Sequence, residues 1–274
     1  MIYEKLTPLK ATLTFTVFGF LFMLSAVLIG KYAGQSFVQS PPHFSHPAEA
    51  VINEASSDKA LTDTSDAPPE GADVNCRVIM IDPGHGGEDG GAVAASGILE
   101  KDLNLAVSCD VADLCVIFGI PYSMTRTEDK LLYGIYNEFT DYTGKKKSLD
   151  LKNRLKLTEE IGADLFLSIH MNSFTDPRYQ RLQVYYSAGR EESRQIAEVV
   201  QLYVKNHLQP HNERQAKMAT SSIYLLKNIE IPAILVECGF MSNDDEVVKL
   251  SSPQYRASLA ASIFTPVCEY FVRS

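Results

Sequence analysis

Arg77-Val78-Ile79-Met80-Ile81-Asp82-Pro83-Gly84-His85-Gly86-Gly87 is the stretch that decides how this chain folds. Arg77 to Ile81 is a short, mainly apolar run that ends in Asp-Pro-Gly, the pattern of a buried strand entering a turn. Downstream, Leu103, Val107, Val111, Leu114 and Phe118 recur at three- and four-residue steps and mark one face of a helix. Gly119 supplies its stop, and Pro121 follows. Tyr122 to Arg126 then reads as a second strand.

The same alternation runs on to the C-terminus. Leu151, Leu155 and Thr158 open a helix closed by Gly162, and Asp164 to Ile169 is a third strand. Leu182 to Tyr186 is a fourth strand. Ile196, Val199, Val200, Tyr203 and Val204 face one side of a helix that ends before Pro210. Ala233 to Val236 is a fifth strand, and Tyr255, Leu259, Ile263 and Val267 mark a closing helix. Strands alternating with helices predict a three-layer α/β/α domain over residues 76–274. One long polar insertion, Leu131 to Leu149, carries Lys145-Lys146-Lys147 and reads as a solvated loop. Its alternative reading is a contact with an acidic polymer or a partner protein.

Ahead of this domain the composition changes twice. Ala11 to Gly30 carries no charge, with Lys5 and Lys10 before it and Lys31 after. Twenty such residues span a bilayer as a helix, and the preceding lysines keep the N-terminus cytoplasmic. Residues 1–33 are therefore expected to be a transmembrane anchor, with a cleaved signal segment as the competing reading. The domain is then extracytoplasmic, either membrane-anchored or exported. Residues 34–75 are rich in Ser, Pro, Ala, Asp and Glu, and Pro41-Pro42, Pro47 and Pro68-Pro69 break any regular element. They read as a flexible linker, and His43 and His46 within it as solvated.

Composition narrows the partners. The 274 residues are 45% hydrophobic, enough for one sizeable core. A net charge of −9 argues against nucleic acid, whose phosphates call for an excess of Lys and Arg. Five cysteines, none in a C-x-x-C pair, read as buried thiols.

Four residues carry the chemistry. His85, His170 and Glu237 each follow a strand, and Glu100 opens the helix after the first strand. If those strands are parallel neighbours, all four converge on one rim of the sheet, where open α/β sheets place their ligands. Two imidazoles and one carboxylate (His85, His170 and Glu100) suit a catalytic zinc ion that keeps a fourth position for water. Glu237 is then the group that accepts the water's proton. Gly84, Gly86 and Gly87 let the backbone turn beside His85. Asp82 has two readings, a carboxylate holding a ligand histidine or a turn cap. Cys238 adjoins Glu237, but strand alternation points it to the opposite face. His207 and His211 are separated by Pro210 and so cannot share a helix face.

The same residues sit in motifs that resemble a known family. Ile81-Asp82-Pro83-Gly84-His85-Gly86-Gly87, Glu100, Thr125-Arg126 with Asp129, Asn153-Arg154, Ser168-Ile169-His170-Met171-Asn172-Ser173, and Pro232 to Asn243 are similar, in this order, to the zinc-dependent N-acetylmuramoyl-L-alanine amidases of the amidase-3 type. The resemblance implies a mixed, mainly parallel sheet of about six strands. It implies zinc on His85, Glu100 and His170, and catalysis by Glu237. It also implies cleavage of peptidoglycan at the amide between N-acetylmuramic acid and L-alanine of the stem peptide. Within the family the chain is similar to the germination-specific amidases of endospore-formers, which prepare cortex peptidoglycan for muramic-lactam formation. Arg181 stands where many members carry glycine, in the local substrate groove. The rival readings are another zinc peptidase or deacetylase acting on the same polymer, and a non-catalytic wall-binding protein. The basic insertion also raises the alternative that activity or zinc loading needs an accessory protein.

Overall fold

Ile79–Pro83 forms β1, and the rest of the sheet is built outward from it. In this computed structural model, residues 77–136 and 141–273 are described. The expected anchor, the linker, His43, His46 and Cys76 lie outside them. Among the described residues no helix is long and apolar enough to cross a membrane.

In chain order, β1 is followed by α1 (Glu100–Phe118), β2 (Tyr122–Met124), α2 (Lys146–Ile161), β3 (Leu165–Asn172) and β4 (Gln183–Tyr186). Then come α3 (Glu191–His207), β5 (Lys217–Met218), α4 (Tyr224–Asn228), β6 (Ala233–Phe240), α5 (Asp244–Ser251) and α6 (Pro253–Arg273). The sheet order is β2-β1-β3-β6-β4-β5. β2, β1, β3 and β6 run parallel, β4 pairs antiparallel with β6, and β5 lies parallel to β4. This is the mixed, mainly parallel six-stranded sheet that the resemblance implies.

Both faces of the parallel strands are buried, which is why they read as continuous apolar runs. Ile79, Ile81, Leu165, Leu167, Ile169, Ile234 and Val236 pack with Val107, Val200 and Ile263 from α1, α3 and α6. Met80, Phe166, Ala233 and Leu235 take the alternate positions and pack with Leu225 and Leu226 of α4, flanked by Leu151 and Leu155 of α2. Period-two alternation puts Asp82, Ser168, His170 and Glu237 on this second face. Cys238 falls on the first face, at 1% exposure.

The insertion departs from its sequence reading. Lys146 is the first residue of α2, which therefore starts inside the stretch expected to be loop. Lys146 Nζ meets Glu88 at 2.6 Å and Lys147 Nζ meets Asp89 at 3.2 Å. Two lysines of the run thus clamp α2 to the loop that follows β1. β5, α4 and α5 were not expected from sequence either.

Candidate metal centre

The loop after β1 is shaped before it is functional. His85 adopts φ 60°, a left-handed conformation that a residue with a Cβ seldom takes. Two buried guanidinium groups hold it there. Arg154 donates to the carbonyls of Pro83 (2.8 Å) and His85 (2.6 Å). Arg126 donates to those of Pro83 (3.0 Å) and Gly84 (2.9 Å). Three consecutive carbonyl oxygens are fixed, so hydrogen bonds from the two arginines offset the strain at His85.

Arg154 is itself anchored by Asp82 at 2.6 Å and Asp150 at 2.8 Å. Asp82 also accepts from Thr125 Oγ1 and Ser168 Oγ, each at 2.7 Å. Burial alone would raise the Asp82 pKa, but the Arg154 charge and these hydroxyl groups outweigh it and hold the carboxyl below its usual range. Among the described residues Asp82 bonds no histidine, so the reading as a ligand-holding carboxylate is corrected. It anchors the arginine that holds the loop.

The expected triad comes together. One oxygen of Glu100, Oε1, lies 3.2 Å from His85 Nε2 and 3.1 Å from His170 Nδ1. A ligand atom from each of the three residues lies within 4.8 Å of the other two, a spacing that one divalent ion can bridge. Glu100 is the first residue of α1, and its other oxygen accepts from the Ala92 amide at 2.8 Å. Met171 N and Asn104 Nδ2 donate to Oε1 at 3.1 and 3.3 Å. Burial pushes the Glu100 carboxyl up, but the two imidazoles more than reverse this, leaving it well below the ordinary carboxylate range. At His85 burial favours the neutral ring, while Glu100 and Asp89 favour the cation and prevail.

Glycine is required twice around this triad. A Cβ on Gly84 would sit 2.2 Å from the His170 ring, and one on Gly91 would sit 2.6 Å from Glu100 Oε2. Both imidazole and carboxylate therefore rest directly on backbone. Two supporting residues were missed from sequence. Asp89, four residues after His85, takes its Nδ1 at 3.0 Å and turns Nε2 inward. Asn104, one helical turn after Glu100, ties it to the Gly84 carbonyl at 3.1 Å. For Asn104 the i, i+4 spacing from Glu100 on one helix was the available signal, whereas His85 and Asp89 lie in a turn where that spacing gives none.

Glu237 is the direct register partner of His170 across β3 and β6. β3 runs three residues and β6 four residues beyond the expected ends, so these two residues lie inside strands rather than past them. Glu237 Oε2 is buried with no hydrogen-bond partner among the described residues. Burial pushes its carboxyl up to about 7, with Glu100 adding to the rise and the two histidines opposing it.

A family model described as N-acetylmuramoyl-L-alanine amidase matches residues 79–269. The chain belongs to the amidase-3 family. Its sequence is 35% identical, over 71% of this chain and 80% of the relative, to the germination-specific N-acetylmuramoyl-L-alanine amidase of Bacillus subtilis strain 168. The fold is similar to the CwlD amidase of Clostridioides difficile, solved in complex with the GerS lipoprotein. That match has 33% identity and a TM-score of 0.66, and covers 72% of this chain and all (100%) of that one. It is also similar to the amidase AmiC2 of Nostoc punctiforme, at 30% identity and a TM-score of 0.59, covering 73% of this chain and 99% of that one. The protein is thus a peptidoglycan amidase, a hydrolase of the amide between N-acetylmuramic acid and L-alanine.

In this amidase Arg181 takes φ 79°, a left-handed backbone setting that favours glycine. Its amide donates to Glu246 at 2.8 Å and Nη1 to the His211 carbonyl at 2.6 Å, which hold the arginine there. Cys238 lies in the core away from Glu237, and burial pushes its thiol well above its ordinary value. His207 and His211 are exposed.

Proposed function

We propose that this amidase is a zinc enzyme in which His85 Nε2, His170 Nδ1 and Glu100 Oε1 hold the metal and Glu237 is the catalytic residue. The observation that carries the reading is the meeting of two imidazole nitrogens on one carboxylate oxygen, beside a buried carboxylate oxygen without a donor among the described residues. Nitrogen, nitrogen and carboxylate oxygen are a zinc donor set with room for a fourth ligand. When bound, zinc supplies Lewis acidity for the amide carbonyl and lowers the pKa of a water in its open position. The chain does the rest. Asp89 and Gly84 fix the two rings, Glu237 accepts a proton at its carboxylate, and the same carboxyl returns it to the departing alanine nitrogen. A carboxyl poised near 7 suits both directions of that transfer.

The biological setting belongs to the same proposal. Likeness to a germination-specific amidase supports a role in spore-cortex peptidoglycan, in the step preceding muramic-lactam formation. The uncharged stretch Ala11 to Gly30 supports residues 1–33 as anchor or signal, 34–75 as linker and 76–274 as the catalytic domain outside the cytoplasm. The relative solved with a lipoprotein supports an accessory partner of that kind.

Metal analysis of the purified protein, paired with product analysis on peptidoglycan, tests the reading. About one zinc per chain and release of peptides with free N-terminal L-alanine are expected. Glu237→Gln should retain zinc and lose at least about a hundredfold in turnover. Full turnover in that variant removes Glu237 from the mechanism, and acetate as the product would replace the amidase with a deacetylase.

A further inference from the structure

Beyond Glu237 the rim continues across β4 to the start of β5. Gln183 of β4 is the register partner of Glu237, so their side chains leave the same face of the sheet. Gln183 is 1% exposed, and its Nε2 donates to the Gln215 carbonyl. Its Oε1 is buried and has no partner among the described residues. The residue before Gln215 is Arg214. Gln183 therefore stands opposite Glu237 in register and is bonded to the segment that carries this arginine.

Arg214 is held by ring faces rather than by acids. Its guanidinium carbon stands 4.9 Å from the centre of the Phe240 ring and 5.8 Å from that of Tyr179. Tyr179 in turn packs on Phe174 at 4.5 Å, and both rings are about half exposed. Nε donates to the Gln180 carbonyl at 3.1 Å, and Arg214 forms no ion pair among the described residues. The acids around it are engaged elsewhere. Asp176 is taken by Arg178, Glu213 by Lys205, and Glu246 by the amides of Arg181 and Phe240. A cleft of about 560 Å³ opens beside it.

A guanidinium fixed by aromatic faces, with its fork unused, is preorganised for a carboxylate. In a chain of net charge −9, leaving a cation unpaired beside three acids that each have another partner calls for a ligand. Resting on the assignment of the Glu237 rim as the reaction site, we propose that Arg214 is a specificity-determining residue that binds the first carboxylate of the stem peptide beyond the scissile amide. In peptidoglycan L-alanine is followed by a γ-linked D-glutamyl residue, whose α-carboxyl is a free acid in some walls and a carboxamide in others. That carboxyl lies within about 7 Å of the scissile nitrogen, two residues of chain at most. From β6 to β5 is two strand spacings, about 10 Å, and the arginine side chain spans the remainder. Tyr179 and Phe174 offer the adjoining apolar shelf.

The test compares N-acetylmuramoyl-L-alanyl-D-isoglutamate with its isoglutamine counterpart as substrates of the full-length, zinc-loaded protein. Wild type should favour the acid about ten- to a hundredfold in kcat/KM, the worth of one charge-assisted pair. Arg214→Gln should remove that preference through KM, with kcat nearly unchanged, and Arg214→Lys should keep part of it. Titration of both dipeptides into the Glu237→Gln protein gives the same comparison without turnover. Wild type without preference, or a variant that weakens both substrates equally, overturns the proposal while leaving the reaction assignment intact. Cleavage of neither dipeptide nor peptidoglycan by wild type removes the assignment of the Glu237 rim and this inference with it.

Discussion

Glu237 stands beside His170 with one oxygen that no donor among the described residues reaches, and that has a cost in the metal-free protein. Its carboxyl titrates near 7 in the fold and near 4.5 as an ordinary glutamate. Between those values the folded state holds a proton that the unfolded state has lost. Stability therefore falls as pH rises from about 4.5 to about 7, and is flat beyond. Glu237→Gln removes the titration. In metal-stripped protein the variant should match wild type near pH 4.5 and exceed it at pH 8, by about 3 kcal/mol. Urea unfolding at the two pH values measures this, and a difference that does not grow with pH would show that the carboxyl is not held protonated. The same substitution that ends turnover should thus stabilise the apo fold, as expected where a residue is kept for its chemistry.

At the scale of elements, α2 reaches the metal loop through Arg154, which joins Asp150 on its own helix to Asp82 on β1 and to the His85 carbonyl. Arg154→Met leaves two buried carboxylates facing each other without a cation and should cost about 3–5 kcal/mol in urea unfolding. A loss below ~1 kcal/mol would mean that the loop is held by Arg126 alone. Nothing in the sequence announced this role, because partners 72 residues apart share no local pattern. What was legible was what periodicity encodes. The apolar runs of β1, β3, β4 and β6 and the stripe on α1 appeared where expected. That His85, Glu100, His170 and Glu237 share one rim was legible from strand order and a helix start, although His170 and Glu237 lie inside longer strands than expected. Elements set by very short range signals were not legible. β5 has two residues, both exposed, and α4 has five. α5 did carry a signal, since Asn243 caps it by accepting from Glu246 N at 3.1 Å and Asp244, Asp245 and Glu246 fill its first turn. The start of α2 was misplaced because Lys145-Lys146-Lys147 reads as solvated charge until Glu88 and Asp89 arrive from another part of the chain.

For the molecule as a whole, the triad ties together pieces that the sheet alone connects. His85 lies past β1, Glu100 opens α1 and His170 lies in β3, so one ion would bind three elements at once. In its absence a single carboxylate oxygen must satisfy two imidazoles, an arrangement that exists only in the folded chain. A ligand that binds the native state and not the unfolded one stabilises it by mass action. Zinc at a hundred times its dissociation constant is worth about 2.7 kcal/mol, or about 5–10 °C in melting temperature for a domain of this size. Scanning calorimetry with zinc in excess and with a chelator should bracket that shift, and His170→Ala should melt at one temperature in both. Equal melting of wild type in zinc and in chelator would mean that the three side chains meet without binding an ion. The shift should also grow with the logarithm of free zinc, which separates site occupancy from a general effect of divalent salt on a chain of net charge −9.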